Sequence, residues 1–271
     1  MATHEDLQAK IAGATVYEEL FVPALFGEWA SRVADAAKVR AGERVLDVGC
    51  GTGVLAREAA RRAGPSGSVM GLDVNEGMLY VAAQAAPEIE WRHGPAESIP
   101  CRDQSFDVVV SQFGLMFFND KGRAVEEMVR VLKPGGRLAV AVWASLDAAP
   151  GFAALVGLLQ RLFGEKVADG LRWPFSLGDR KRLLDLFAES GVPSARVSTQ
   201  AGAARFPSIA SWMEIETKGW LSSLGHRFDA DQLELLVGEA VRALGAFVTS
   251  TGTVEVPISA HIVTAEKKRK A

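Results

Sequence analysis

The chain has 271 residues and a formal net charge of −3, with 48% hydrophobic and 23% charged residues, a balance that excludes a disordered chain and allows a substantial buried core. A pI near 5.9 leaves no surplus of Lys and Arg to neutralise a run of phosphates, which argues against a nucleic-acid partner. The two cysteines, Cys50 and Cys101, have no C-x-x-C spacing, so neither a disulfide framework nor a cysteine zinc site is expected, and no metal is assigned.

The opening MATHEDLQAK has no apolar core of signal-peptide length, and no run of about 18 apolar residues follows. The expectation is a soluble, cytoplasmic protein without membrane insertion. From Tyr17 to Val39 the residues Leu20, Phe21, Ala24, Leu25, Trp29, Val33 and Ala36 recur at three- and four-residue steps. That spacing predicts a helix or helix pair with one buried face, which Pro23 breaks or restarts. RVLDVGC at 44–50 predicts a buried strand, and VLAREAARRAG at 54–64 a helix ending at Gly64. Strands at 68–74, 89–94, 106–113 and 137–143 then alternate with helices at 75–86 and 122–132, the second stopped by Lys133-Pro134-Gly135-Gly136. Such alternation predicts a doubly wound α/β fold whose parallel sheet is covered on both faces.

Beyond Trp143 the rhythm changes. A helix is expected at 149–164, an aromatic loop LRWPFSLG at 171–178, and a helix RKRLLDLFAESG ending at Gly191. Strands at 194–206 and 253–266 have no glycine-rich turn between them and are expected to pair antiparallel at the edge of a seven-stranded sheet. Helices at 208–222 and 229–246 fall between them. The organisation expected is one domain over 1–271, a core over 44–143, and helical cap insertions at 148–178 and 207–247. The basic KKRK at 267–270 reads as a solvated tail.

The functional signal is VLDVGCGTGVLA at 45–56. A strand running through a glycine-rich turn into a helix brings backbone N–H groups and the positive helix end close to a ligand, because glycine leaves room for the approach. A dinucleotide fingerprint, G-x-G-x-x-G, needs glycine at its sixth position; here that position is Val54. A cationic amino-acid nucleoside needs different partners: a carboxylate near the first turn for its ammonium, and a second acid for its ribose. Asp47 lies two residues before Gly49, and Asp73 lies twenty after Gly53 at the end of the second strand.

With these residues the chain resembles the class I S-adenosylmethionine-dependent methyltransferases. It is similar in particular to the small-molecule branch, methyltransferase type 11, which includes the ubiquinone and menaquinone biosynthesis enzymes. VLDVGCGTG, GLDVNEGML, FDVVVSQFGLMF and VEEMVRVLKPGGRLAVAVW carry the resemblance in the family's order, over about residues 17–143. It implies a Rossmann-like sheet, S-adenosyl-L-methionine as cofactor with S-adenosyl-L-homocysteine as product, and a small-molecule methyl acceptor. By the same resemblance Asp47, Gly49, Gly51 and Gly53 meet the methionine part and Asp73 the ribose. Asn75 and Met78 fall beside the ribose and the adenine face, Ala96 and Glu97 in the adenine loop, and Ser111 and Gln112 near the methyl group. Many relatives carry Asp or Asn before that alanine; this chain has Pro95, which donates nothing.

Methyl transfer is an in-line displacement, so holding nucleophile, carbon and sulfur in line at about 3 to 3.5 Å is the main catalytic task. No general base is compelled by the sequence; His226, in the cap, is the candidate on offer. Trp173, Phe175, Trp212, Trp220 and Phe247 suggest an apolar acceptor cavity under the cap. Tyr17, Phe21 and Trp29 either close over the cofactor or simply pack a helix on the core. The competing reading keeps the fold and the bound cofactor without the transfer, as in a cyclase or binding protein. A homodimer is compatible with the sequence.

Overall fold

The computed structural model describes residues 4–269. Seven strands form one sheet in the order β3-β2-β1-β4-β5-β7-β6: β1 Arg44–Val48, β2 Ser68–Asp73, β3 Glu90–His93, β4 Phe106–Gln112, β5 Leu132–Trp143, β6 Arg196–Phe206 and β7 Val254–Glu266. The first five pair in parallel. β7 runs antiparallel to both β5 and β6, so the expected antiparallel pair does form the sheet's edge, with β6 outermost. The apolar runs of β1 and β4 are buried almost throughout, as a sheet covered on both faces requires.

Helices α3 (Val54–Ala63) and α4 (Glu76–Ala85) connect β1 to β2 and β2 to β3, and α5 (Lys121–Val131) connects β4 to β5. Right-handed crossovers put the first two on one face and α5 on the other, because the chain progresses outward from β1 in one direction and from β4 in the other. The strand order therefore reverses between β1 and β4. At such a switch point the loops diverge and leave a crevice at the carboxyl ends of the strands.

The N-terminal region differs from the expected helix pair. Helix α1 (His4–Val16) runs into a π-helical segment, Tyr17–Phe26, and then into α2 (Gly27–Ala36). Pro23 sits inside the wide segment instead of ending a helix: proline removes one backbone donor, and the wider turn absorbs the missing bond. Trp29 of α2 is fully buried, edge-on to Phe113 and Trp143. KPGG does not stop the chain before β5 either; the strand begins at Leu132 and carries Gly135 at φ 79°, with a register shift against β4.

After β5 come α6 (Pro150–Phe163), α7 (Glu165–Arg172) and α8 (Arg180–Glu189); between β6 and β7 come α9 (Ile209–Glu214), a second π-helical segment Ile215–Trp220, α10 (Leu221–Ser223) and α11 (Ala230–Leu244). The expected aromatic loop is thus shortened by α7 and by a 3-10 turn over Trp173–Phe175. Trp212 is fully buried, stacked 4.9 Å from Phe206 and edge-on to Phe152. The basic end is not simply solvated: Lys267 Nζ donates to the carbonyls of Val129 and Leu132 at 2.7 Å and of Arg130 at 3.2 Å. Those carbonyls belong to the last turn of α5 and the start of β5, where a cation completes acceptors that the helix leaves unpaired. Lys270 lies outside the described residues. No helix among the described residues is long and apolar enough to cross a membrane.

Trp29 fills the junction between the N-terminal helices and the sheet. Trp29→Ala is expected to lower stability by about 3–5 kcal/mol, read as a lower urea midpoint in equilibrium unfolding.

Candidate functional site

Gly49, Gly51 and Gly53 all take left-handed backbone angles, with φ of 69°, 55° and 88°, a region where any side chain is strained. Their surroundings differ. A Cβ on Gly53 would overlap the Trp91 ring, and one on Gly49 would press on Phe118 at 3.1 Å; one on Gly51 would meet only Tyr17 Cε1, at 3.9 Å. Gly53 therefore lets β3 and α3 pack close, while Gly51 leaves backbone open beneath Tyr17. The Gly49 and Cys50 N–H groups donate to the Leu72 carbonyl, so β2 holds the first half of the turn.

Asp73 holds the second half. Its Oδ2 accepts from the Gly51 N–H and its Oδ1 from the Asn75 N–H, each at 2.8 Å. A carboxylate offers about four lone-pair positions, so these two bonds leave acceptor capacity on both oxygens. Burial raises its pKa, offset by the N–H groups of Asn75, Gly51 and Val74. Asn75 Oδ1 caps α4 by accepting from the Gly77 and Met78 N–H groups. Met78 is half-buried in the first turn, where Gly77 lets the backbone of α1 at Lys10 press directly on α4.

Asp47 is 1% exposed and its Oδ2 has no hydrogen-bond partner. Burial and then the Asp73 charge push its carboxyl up to about 8, so at neutral pH it is largely protonated in the absence of a cation. Cys50 is buried, and burial followed by the Asp73 and Asp47 charges pushes its thiol well up, which makes it a poor nucleophile. β1 and β4 are paired with Asp47 opposite Val110, and Ser111 and Gln112 follow at the carboxyl end of β4. Ser111 Oγ, Gln112 Oε1 and the Thr52 hydroxyl are also buried without partners, while Gln112 Nε2 donates to the Phe26 carbonyl at 3.1 Å. Phe113 follows at φ 54°, stacked 3.7 Å from Trp143.

The loop after β3 makes a 3-10 turn over Ala96–Ser98 with Ala96 buried. Glu97 Oε1 accepts from the Asn119 and Asp120 N–H groups at 2.8 and 3.2 Å, so this side chain ties its loop to the start of α5. His226 lies elsewhere, beside Gly170 of α7.

Tyr17, expected from the sequence either to close over the cofactor or to pack on the core, lies over Gly51, whereas Glu18 and Arg57 are invisible to motif reading. Tyr17 stacks on Phe21 and Phe26, and burial followed by the charges of Asp73, Glu18 and Asp47 raises its hydroxyl pKa. Glu18 pairs with Arg57 at 2.6 Å, and Arg57 also donates to the Thr52 carbonyl, latching the N-terminal segment to the glycine turn. Only the aromatic content of the segment hinted at this. Two surface clefts lie off this crevice, the larger along the start of β2 and the distal ends of α3 and α4. The crevice itself is covered by aromatic side chains.

Residues 46–140 match the methyltransferase domain family. Demethylmenaquinone methyltransferase of Staphylococcus aureus (strain JH9) is 33% identical over 205 residues, which span 70% of this chain and 85% of that protein. The chain belongs to the S-adenosylmethionine-dependent methyltransferases. Two solved structures share the fold of this methyltransferase. YcgJ of Bacillus subtilis aligns with a TM-score of 0.57 at 22% identity, over 90% of this chain and 99% of that one. Phosphoethanolamine N-methyltransferase 2 of Haemonchus contortus, in complex with phosphomonomethylethanolamine and S-adenosylhomocysteine, aligns with a TM-score of 0.62 at 18% identity, over 99% of this chain and 61% of that one. At such identities the likeness concerns the fold alone.

The unequal surroundings of the glycines give a contrast. Gly53→Ala of the methyltransferase carries both left-handed strain, about 1–2 kcal/mol, and a clash with Trp91, about 1–3 kcal/mol more; Gly51→Ala carries the strain alone. Thermal unfolding of the two variants is expected to show the larger loss for Gly53→Ala.

Proposed function

We propose that this methyltransferase binds S-adenosylmethionine across the β1–β4 switch point and methylates a small, apolar or aromatic acceptor held by the helices at 148–178 and 207–247, acting as a cap. The observation that carries this reading is the group of buried polar atoms without partners at the carboxyl ends of β1 and β4: Asp47 Oδ2, Thr52 Oγ1, Ser111 Oγ and Gln112 Oε1. Native proteins leave few such atoms unsatisfied, and a ligand rich in ammonium and hydroxyl donors fits this set.

When bound, S-adenosylmethionine supplies a methyl group activated by its positive sulfur. The chain's own residues do the rest. Asp47 receives the ammonium of the amino-acid end, with Gly51 leaving backbone open beside it. Asp73 accepts from the ribose hydroxyls while keeping its bonds to Gly51 and Asn75. Asn75, Met78 and the Ala96–Glu97 turn flank the nucleoside, with Glu97 fixing the turn through its bonds to Asn119 and Asp120. Ser111 and Gln112 lie toward the transferred group. Tyr17, Phe26, Phe113 and Trp143 form an aromatic wall that excludes water from the reacting atoms, where a desolvated nucleophile is more reactive.

The cap's aromatic side chains support a flat, apolar acceptor. Phe117, just after β4, lies 5.2 Å from both Trp173 and Trp220, bringing rings from three segments together. The relatedness to demethylmenaquinone methyltransferase supports a hydroxylated bicyclic ring as the first acceptor class to try. Incubation with S-adenosylmethionine and a series of naphthoquinols and phenols, followed by S-adenosylhomocysteine release and mass spectrometry of the acceptor, tests the reading. Release with no acceptor gaining a methyl group would reject it.

Two results are expected for the cofactor site. Asp73→Ala should weaken S-adenosylhomocysteine binding by about 3 kcal/mol, more than a hundredfold, through loss of two charge-assisted hydrogen bonds; unchanged affinity by calorimetry would reject the assignment. Asp47 should release its proton on receiving an ammonium, since its carboxyl sits at about 8 without the ligand. Affinity should therefore rise from about pH 6 to about pH 8 and then level off. Asp47→Asn should bind more weakly and lose that slope, and calorimetry in buffers of different ionisation enthalpy reads the proton directly.

A further inference from the structure

Among the cap side chains, Glu216 stands out physically. It lies in the π-helical segment Ile215–Trp220, is 3% exposed, and its side chain makes a single hydrogen bond among the described residues: Oε1 accepts from the Trp212 indole N–H at 3.1 Å. No described residue donates to Oε2. The charged neighbours on its own helix, Glu214 and Lys218, pair with each other at 3.0 Å on the exposed side. Phe152 of α6 and Phe206 of β6 pack on its partner Trp212, Phe21 packs on the neighbouring Gly219, and no nearby charge acts on the Glu216 carboxyl. Oε2 is not among the fully enclosed polar atoms without a partner, so it keeps a little accessible surface and can be reached by a ligand.

The segment that carries it lies against the crevice wall. Trp212, Glu216 and Trp220 follow one another at four-residue steps and so share a helix face. Trp220 packs on Phe117, at the mouth of β4, and on Trp173. Gly219 lets Phe21 lie directly against the segment, since a Cβ there would overlap the ring. Phe21 in turn stacks on Tyr17, which covers Gly51. The two π-helical segments thus meet at Phe21 and Gly219. Such geometry makes up well under 1% of residues and recurs at functional sites.

We propose that Glu216 is the general base for the methyl acceptor, taking the proton of a hydroxyl on a planar aromatic ring through its unbonded Oε2. This rests on the acceptor reading given above and adds the proton's destination. The acceptor O–H breaks, with its proton going to Glu216. The electron pair left on the phenolate forms the bond to the methyl carbon, and the pair of the broken carbon–sulfur bond stays on sulfur. Glu216 then returns its proton to water. Burial pushes its carboxyl up to about 7, against the Trp212 bond that lowers it, a value matched to proton abstraction at neutral pH.

The test uses the full chain with saturating S-adenosylhomocysteine and 1-naphthol, followed by tryptophan fluorescence, because Trp212 and Trp220 flank Glu216. A phenol remains neutral below about pH 9, so any change in its affinity between about pH 6 and pH 8 reports the protein. Wild type should bind naphthol more tightly as Glu216 ionises, and Glu216→Gln should bind it with no pH slope. S-adenosylhomocysteine affinity should be unchanged in Glu216→Gln, which also shows that the variant is folded. With a quinol that wild type methylates, Glu216→Gln should lose about a hundredfold or more in kcat, with KM little changed and the limb of the pH profile near 7 gone. A naphthol slope that persists in Glu216→Gln, or is absent from wild type, would overturn the proposal. A slope that Glu216→Gln removes, in a protein that methylates none of the quinols, would reject the acceptor class and leave Glu216 as the group that meets the hydroxyl.

Discussion

The crevice depends on one half-buried carboxylate. Asp73, at the end of β2, accepts the Gly51 N–H with one oxygen and the Asn75 N–H with the other, so a single side chain joins the turn after β1 to the start of α4. Three left-handed glycines would otherwise be the least ordered part of the chain, because glycine loses most conformational freedom on folding. The Leu72 carbonyl and the Asp73 carboxylate hold the turn from the β2 side, Trp91 packs behind Gly53, and Arg57 binds the Thr52 carbonyl. The freedom needed to reach this conformation is thereby removed once it has been reached.

The core was legible because its signals are local. Alternating apolar runs and glycine punctuation over 44–143 predict the five parallel strands and their helices, and the resemblance carried by four motifs points to the family. The antiparallel pair at the edge was legible for a negative reason: no glycine-rich turn separates 194–206 from 253–266. The N-terminal region was less so, since Pro23 reads as a break and nothing in its sequence announces a π-helical turn.

What stayed hidden depends on contacts between distant segments. Glu18 and Arg57 are ordinary surface residue types until the fold brings them to 2.6 Å. Glu216 sits in WMEIETKGW, where three charged neighbours at Glu214, Glu216 and Lys218 suggest a solvated face; only the wide helical turn and the packing of Trp212 bury the middle one. Lys267 reads as part of a basic tail, yet it finishes the end of α5. Each is a polar residue whose neighbours are set by tertiary packing, and periodicity carries no information about those.

The position of β7 between β5 and β6 bears on how the molecule is assembled. β6 ends at Phe206 and β7, its one sheet partner among the described residues, begins at Val254, so the outer strand lacks that partner until the intervening helices have been made. During synthesis, β5 presents an open edge for all of that time, the kind of exposed template that invites wrong partners. The helices between β5 and β7 would be produced while the edge is bare, and those that pack early could shield it. The segments proposed to choose the acceptor would then also act as an internal escort for an unfinished sheet.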